Sequence, residues 1–297
     1  MNKVKIYGGL GNQMFQYALC IALNNKGKKT RISFSDFLFE YHHNGFNLCK
    51  AFKLKLPFSL KLLNFFLVNF EFLYKNRYSA FISTRIIQLY HKQYSETYVE
   101  EKEFIYDYNL FQQESKFLIG IWQVESYFKD IKVIIQNEFD FRVPIDKTNV
   151  ELIKKINICN SISIHIRKGD YESSNWENTL GYVNKTNYYN NALNYIKERV
   201  DNAHFFIFSD DMEWTENNFK ISNCTYVNHN KGKLSYIDMY LMSLCKHNII
   251  ANSTFSWWGA WLNKNKNKII VMPKKWIMRD YYPEGIFPEE WIKLDED

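Results

Sequence analysis

The alternation of strand-like and helix-like segments in the second half of the sequence most constrains its fold. Four short segments are rich in β-branched and aromatic residues: 161–167, 203–208, 248–251 and 268–272. Apolar residues at helical spacing lie between and after them, at 186–200, 211–219, 233–246 and 254–263. Strands that alternate with helices form a parallel sheet that is covered on both faces. The second half therefore predicts an α/β fold.

The first half begins with the same pattern and then loses it. Residues 4–7 are strand-like, glycines interrupt them, and Asn12 is placed to cap a helix that runs to about residue 25. Residues 30–34 look extended, whereas 37–115 give a poor and mostly helical pattern. Strand character returns at 116–122, and helical spacing returns at 127–138.

A candidate linker follows this first half. Residues 143–144 are Val-Pro, and a polar stretch continues to about residue 149. A chain of 297 residues is long enough for two domains. We therefore expect two domains, at residues 1–144 and 145–297.

Composition excludes several classes of protein. With 46% hydrophobic and 24% charged residues, the chain is neither disordered nor collagen-like. No run approaches the ~18 apolar residues of a membrane-spanning helix, and no signal peptide is recognisable, so we expect a cytoplasmic protein. The five cysteines are scattered without a C-x-x-C pair, which suggests neither disulfides nor a zinc site.

The net charge of +6 is concentrated in one segment, residues 51–92. This segment holds seven basic residues and one acidic residue, so the rest of the chain sums to zero. One interpretation is a helical insertion with a solvated basic face. The others are a surface for anionic lipid, with peripheral contact at the inner membrane face, and a surface for nucleic acid.

Ligands of open α/β sheets bind outside the carboxyl ends of the strands, so the residues there are the site candidates. His165 and Arg167 end one strand and point the same way. The planar fork of a guanidinium suits a diphosphate, and Asp170 can orient it or accept from a ligand hydroxyl. A structural Arg/Asp pair with a packed histidine is the alternative.

Two further strand ends carry polar residues. Asp210 can accept hydrogen bonds from a ribose or a base, or it can belong to a purely structural turn, whereas Asp211 is better interpreted as a helix cap. Asn252, Ser253 and Thr254 begin a helix, where they can form an anion site or simply cap it. The tryptophans that follow are expected to form the buried face of this helix.

The glycine loop in GGLGNQ either lets backbone approach a ligand closely through Gly9 and Gly11, or is a tight strand-to-helix turn without a ligand. Because Met14 stands where a third glycine is needed, the loop is not the dinucleotide fingerprint, and no P-loop is present. No D-x-D follows a strand, which argues against a metal-bridged diphosphate site.

Four motifs in order resemble the bacterial α-1,2-fucosyltransferases of glycosyltransferase family 11: GGLGNQMFQYA from Gly8, HIRKGDY from His165, FIFSDD from Phe206 and NSTFSWWGAWL from Asn252. The resemblance covers nearly the whole chain. It implies a GT-B-like fold, with two Rossmann-like domains and a cleft between them. It also implies GDP-fucose as donor to the 2-hydroxyl of a terminal galactoside, inversion at the anomeric carbon, and no metal, cofactor or nucleic acid.

The resemblance also implies roles for individual residues. Arg167 matches the arginine that neutralises the donor diphosphate, with His165 and Asp170 flanking it. Nucleotide-holding positions fall at Asp210 and at Asn252, Ser253, Thr254 and Phe255 of the second domain, and the N-terminal loop with Gly11 and Asn12 faces the reaction centre. Lys168 stands where the family often has a second arginine, which keeps the charge but loses the fork.

Three questions stay open. The base that accepts the acceptor proton is unidentified, with Glu125 and Asp36 as candidates. The acceptor is a galactoside or a lipid-linked oligosaccharide. The alternative function is non-enzymatic binding of nucleic acid or a membrane surface by segment 51–92.

Overall fold

The computed structural model describes residues 1–33, 45–54, 96–143, 146–172, 179–278 and 283–295. The chain divides into two compact units. The first comprises Met1–Arg142 with Glu284–Phe287, and the second comprises Val143–Pro283 with Pro288–Asp297. Glu284–Phe287 belongs to the first unit because Gly285 N donates to Phe104 O at 2.7 Å and Ile286 is fully buried. A single cut of the sequence cannot predict this return of the chain.

The first unit contains a four-stranded parallel sheet in the order β2-β1-β4-β3. Its strands are β1 Asn2–Lys5, β2 Thr30–Ser33, β3 Thr97–Val99 and β4 Phe117–Ile119. Its α-helices are α1 Leu10–Asn25, α2 Leu48–Ala51 and α3 Lys132–Glu138, with short 3-10 turns at Leu110–Gln112, Glu125–Tyr127, Lys129–Ile131 and Glu284–Ile286.

Helix α1 begins earlier than the sequence predicts. Gly9 is its N-cap residue and makes no side-chain cap bond, so Asn12 lies inside the first turn and the predicted Asn12 cap is wrong. Gly8 precedes it with φ +77°, a backbone conformation that favours glycine. A Cβ at Gly8 would also stand 2.9 Å from Asn12 Nδ2, so a larger residue there would displace the Asn12 side chain.

The second unit contains a six-stranded sheet, again with parallel pairing throughout. Its strands are β5 Asn160–Ile166, β6 Ala203–Ser209, β7 Cys224–Val227, β8 His247–Ile249, β9 Ile270–Pro273 and β10 Ile292–Leu294. The order β7-β6-β5-β8-β9-β10 is the 3-2-1-4-5-6 order of a Rossmann fold. The predicted α/β class with parallel sheets is confirmed.

Helices cover both faces of this second sheet. They are α4 Lys147–Ile158, α5 Gly169–Glu172, α6 Tyr188–Lys197, α7 Met212–Asn218, α8 Tyr236–Leu244 and α9 Thr254–Trp261, with 3-10 turns at Gly181–Lys185 and Gly232–Leu234. Ile162, Ile164 and Ile166 of β5 pack toward α6, whereas Phe206 and Phe208 of β6 pack toward α8. Burial on both faces explains why these strands are nearly continuous apolar runs.

The structure differs from the sequence prediction at three elements of this unit. Helix α4 occupies part of the expected linker, where Asp146 caps it by accepting from Asn149 N at 2.9 Å. The sequence pattern also missed β7 and β10, which are short strands at the two edges of the sheet. The predicted buried face of α9 is confirmed by Trp257, Trp258 and Trp261, which are at most 1% exposed.

Within the described ranges, no helix is long and apolar enough to cross a membrane. Of the basic segment 51–92, only residues 51–54 are described, so its predicted roles lie outside the described residues.

Candidate functional site

The chain reverses its direction of travel across the second sheet between β5 and β8. From β5 it proceeds to β6 and β7 on one side, and it then returns to β8, β9 and β10 on the other. Rossmann-type sheets bind their ligands at such a reversal, beyond the carboxyl ends of the two strands. Arg167 and Asn252 lie just beyond these two strands.

Arg167 is held at this strand end by Asp210. Its Nη1 lies 3.1 Å from Asp210 Oδ2, while Asp210 Oδ1 accepts from Lys168 N at 2.8 Å. Both oxygens of one carboxylate thus fix the loop after β5 to the loop after β6. Gly169 permits this approach, because a Cβ there would stand 3.0 Å from Asp210 Oδ2.

The neighbouring Lys168 has its own partners. Its Nζ lies 3.4 Å from Asp211 Oδ2 and 4.9 Å from the centre of the Trp214 ring. Asp211 also caps α7 by accepting from Trp214 N at 3.0 Å, which confirms the predicted cap. Lys168 is therefore directed toward α7 and joins a structural cluster.

His165 is buried behind Arg167 and is 4% exposed. Burial, and secondly the positive charge of Arg167, lower the pKa of His165 to about 3, so its ring is neutral near pH 7. Its Nδ1 has no hydrogen-bond partner in the described part of the chain. The ring packs 5.7 Å from that of Phe255, which joins the end of β5 to helix α9.

The start of α9 is not capped as the sequence suggested. Ser253 occupies the N-cap position without a side-chain cap bond, and Asn252 Nδ2 donates to Leu180 O at 2.9 Å and Trp276 O at 3.1 Å. The capping interpretation of both residues is therefore wrong. Asn252 O accepts from Tyr171 Oη at 3.2 Å, which links the loops after β5 and β8. Thr254 is the first residue of α9.

One residue of this site, Asn184, carries no signal in the sequence. Asn184 Nδ2 donates to Arg167 O at 2.6 Å, and Asn184 Oδ1 is buried without a partner among the described residues. The Tyr171 ring centre lies 5.7 Å from Arg167 Cζ. Asn184 is 17 residues away from Arg167 and follows no strand, so only the fold brings it there.

The first unit presents the glycine loop at the carboxyl end of β1. Gly9 and Gly11 lie at the N-terminus of α1, and Asn12 Oδ1 accepts from Gln123 Nε2 at 2.9 Å. Gln13 is fully buried and donates to Gly8 O at 2.8 Å and Gly45 O at 2.9 Å. The buried Gln13 side chain therefore holds the glycine loop by hydrogen bonds, and Asn12 is hydrogen-bonded to the loop after β4.

The structure describes fewer contacts for the remaining predicted site residues. Glu125 is half-buried at the start of a 3-10 turn, two residues after Gln123. Asp170 lies in α5, and its side chain is outside what the structure describes, as is all of Asp36. Across the described residues, no three His, Cys, Asp or Glu side chains are grouped as a metal site would require.

The comparison with protein families gives one match over nearly the whole sequence. The model of "Glycosyl transferase family 11" matches residues 1–295. This match spans both units, and it includes all the strand-end residues described above.

Individual relatives agree with the family match. The chain is 33% identical to the O-antigen biosynthesis glycosyltransferase WbnK of Escherichia coli, over 97% of this chain and 98% of that protein. It is 32% identical to an Escherichia coli alpha-1,2-colitosyltransferase, over 98% of each chain. Galactoside alpha-(1,2)-fucosyltransferase 1 of Leontopithecus chrysomelas is 22% identical over 58% of this chain and 50% of that protein.

Among solved structures, the fucosyltransferase NodZ from Bradyrhizobium has a TM-score of 0.49 to this chain. The two are 12% identical over 87% of this chain and 91% of that one.

Proposed function

We propose that this chain, which belongs to glycosyl transferase family 11, transfers L-fucose from GDP-fucose to the 2-hydroxyl of a terminal galactoside. The product is an α-1,2 linkage, formed with inversion at the anomeric carbon and without a metal ion or other cofactor. Relatives named for alpha-1,2 transfer of colitose and of fucose support the linkage.

One observation carries the assignment of the donor site. Arg167 lies at the switch point of a Rossmann-type sheet, where its guanidinium is held by Asp210 and its carbonyl by Asn184. A guanidinium fixed at this place suits the diphosphate of a nucleotide sugar. We therefore assign GDP-fucose to the second unit, in a GT-B arrangement in which the first unit binds the acceptor.

The mechanism of transfer is determined by the charge that develops on the leaving group. The bond between the anomeric carbon and the phosphate oxygen breaks, and the bond to the acceptor oxygen forms on the opposite face. GDP leaves with additional negative charge, which Arg167 and the N–H groups at the start of α9 neutralise. The acceptor hydroxyl loses its proton to a base. The His165 ring is neutral and adds no second positive charge beside Arg167.

The test uses purified protein with GDP-fucose and a panel of galactosides, including lactose and a lipid-linked oligosaccharide, in EDTA. We expect a fucosylated product whose linkage analysis gives an α-1,2 bond. Loss of product in EDTA with recovery on adding a divalent ion would contradict metal independence. A parallel assay with GDP-colitose, whose sugar lacks the 3-hydroxyl of fucose, tests the donor: turnover with that donor alone would contradict fucose transfer.

A further inference from the structure

We propose that Glu100 is a positioning residue for this reaction: it fixes the turn after β4, and through that turn it holds Gln123 against Asn12 of the glycine loop. The inference rests on the proposed function, because Asn12 matters to catalysis only if the glycine loop faces the reaction centre.

The turn after β4 has a backbone that needs external support. Trp122 adopts φ +54°, a left-handed conformation that is uncommon for a bulky residue. Gly120 is confined as well, because a Cβ there would stand 2.6 Å from Glu100 Cβ and 2.7 Å from Glu100 Oε2. The turn and the Glu100 side chain are therefore fitted to each other.

Glu100 supplies that support directly. Its Oε2 accepts from Ile121 N at 2.7 Å and from Trp122 N at 3.2 Å. The backbone of Glu100 is anchored in turn, since its N donates to Ile119 O at 2.8 Å. One carboxylate oxygen thus satisfies two consecutive N–H groups beyond the end of the strand, where no sheet partner takes them up within the described residues.

The turn leads directly to the glycine loop. Gln123 follows Trp122, is 5% exposed, and donates from Nε2 to Asn12 Oδ1 at 2.9 Å. On the other side of the turn, Gly120 O accepts from Gln16 Nε2 at 3.2 Å. Gln16 Oε1 accepts from Tyr7 N at 3.0 Å, at the start of the same loop. A shift of the turn therefore moves Asn12.

The surroundings of the Glu100 carboxyl group determine at which pH it ionises. Its Oε1 is buried and has no hydrogen-bond partner among the described residues. Burial raises the pKa of Glu100 to about 7, the two N–H bonds lower it, and the charges of Glu103 and Asp107 raise it. Tyr127 also lies near enough for Glu100 to raise its pKa.

These properties make the support dependent on pH. The ionised carboxylate accepts charge-assisted bonds from the two N–H groups, and these are stronger than bonds to the protonated acid. Protonation therefore weakens the hold on the turn and on Asn12. We expect the wild-type kcat to fall as the pH drops through about 7.

The experiment compares the pH dependence of kcat, and the KM of each substrate, in the wild type and in Glu100→Gln. Glutamine retains an oxygen for the two N–H groups but does not titrate. We expect Glu100→Gln to lose about tenfold in kcat at pH 8, with donor KM unchanged, and to lose the decline of kcat through pH 7. The matched control is Glu101→Gln, an exposed neighbour, which should keep the wild-type profile.

A second variant tests the link to Asn12. Gln123→Met removes the bond to Asn12 but leaves Glu100 and the turn in place. We expect the same loss of kcat, and no further loss in the double variant, because the two residues act in series. If Glu100→Gln does not fold, Gln123→Met decides the question. A wild-type decline that persists in Glu100→Gln, or a wild-type kcat in Gln123→Met, would overturn the proposal.

Failure of the proposed function gives a different result. In that case the wild-type enzyme forms no fucosylated product with any galactoside, and the inference falls with it. If the wild type is active and both variants match it in kcat and in pH profile, only the role of Glu100 is rejected and the proposed function stands.

Discussion

Arg167 is better explained by a ligand than by folding. The side chains of Arg167 and Asp210 remain 25% and 21% exposed, and pairs this accessible to water contribute roughly 0–1 kcal/mol to stability. Yet Asp210, Asn184 and Tyr171 all contact the same arginine. A residue whose ion pair contributes little to stability but which is held from several sides is typical of a binding site.

We therefore expect Arg167→Ala to lower kcat/KM by roughly 10²–10³-fold with little change in Tm, because one donor to the leaving group is lost. Arg167→Lys should also be severe, since the planar fork is lost. Steady-state kinetics and thermal melts measure both effects. The control is Arg199→Ala, an exposed arginine paired with Glu198, which should change neither quantity. Near-normal turnover in Arg167→Ala would contradict the donor assignment.

At the scale of the element, whether the sequence pattern predicts a helix or strand depends on how deeply that element is buried. Strands β5 and β6 are buried on both faces, so their continuous apolar runs were recognisable. Strand β10 is half-exposed at an edge, and α4 buries few residues, so neither pattern was distinct. The site divides in the same way: His165 and Arg167 follow a recognisable strand, whereas Asn184 and Glu100 reach their partners only through tertiary folding.

The start of α9 gives a prediction at this scale. Because Ser253 makes no side-chain cap bond, Ser253→Ala should cost less than about 0.5 kcal/mol of stability. If its hydroxyl binds the donor phosphates, the same variant should weaken GDP-fucose binding roughly tenfold. Calorimetry measures the affinity, and a thermal melt measures the stability.

The comparison variant is Asp146→Ala, which removes the observed cap of α4. It should lower Tm more than Ser253→Ala does and leave donor affinity unchanged. The reverse ranking of the two variants would show that Ser253 is structural.

At the scale of the whole molecule, the described part of each unit contains a buried acid that links stability to pH. Burial raises the pKa of Glu100 in the first unit and of Asp238 in the second, each to about 7. A raised carboxyl pKa means that the folded state binds more protons than the unfolded state. The resulting stabilisation is complete below about pH 4 and is lost as the pH rises through 7. The contribution of His165 to stability changes with pH in the opposite direction, because its pKa is lowered.

We therefore predict that the wild type and the Asp238→Asn variant differ in how their stability changes with pH. Asp238→Asn keeps an oxygen for Asn230 Nδ2, which donates to Asp238 at 2.8 Å, but removes the titration. Between pH 5 and pH 8, the free energy of unfolding of the wild type should fall relative to that of Asp238→Asn. The expected fall is on the order of a few kcal/mol, as the raised pKa of Asp238 implies. Urea unfolding at several pH values measures this. Parallel curves for the two proteins would show that Asp238 does not titrate in this range.

The return of Glu284–Phe287 to the first unit has a consequence for synthesis. Ile286 is fully buried in a unit whose residues outside Glu284–Phe287 all precede Val143. These four residues emerge from the ribosome long after the rest of that unit. The first unit therefore finishes folding only after Val143–Pro283 of the second unit has been translated.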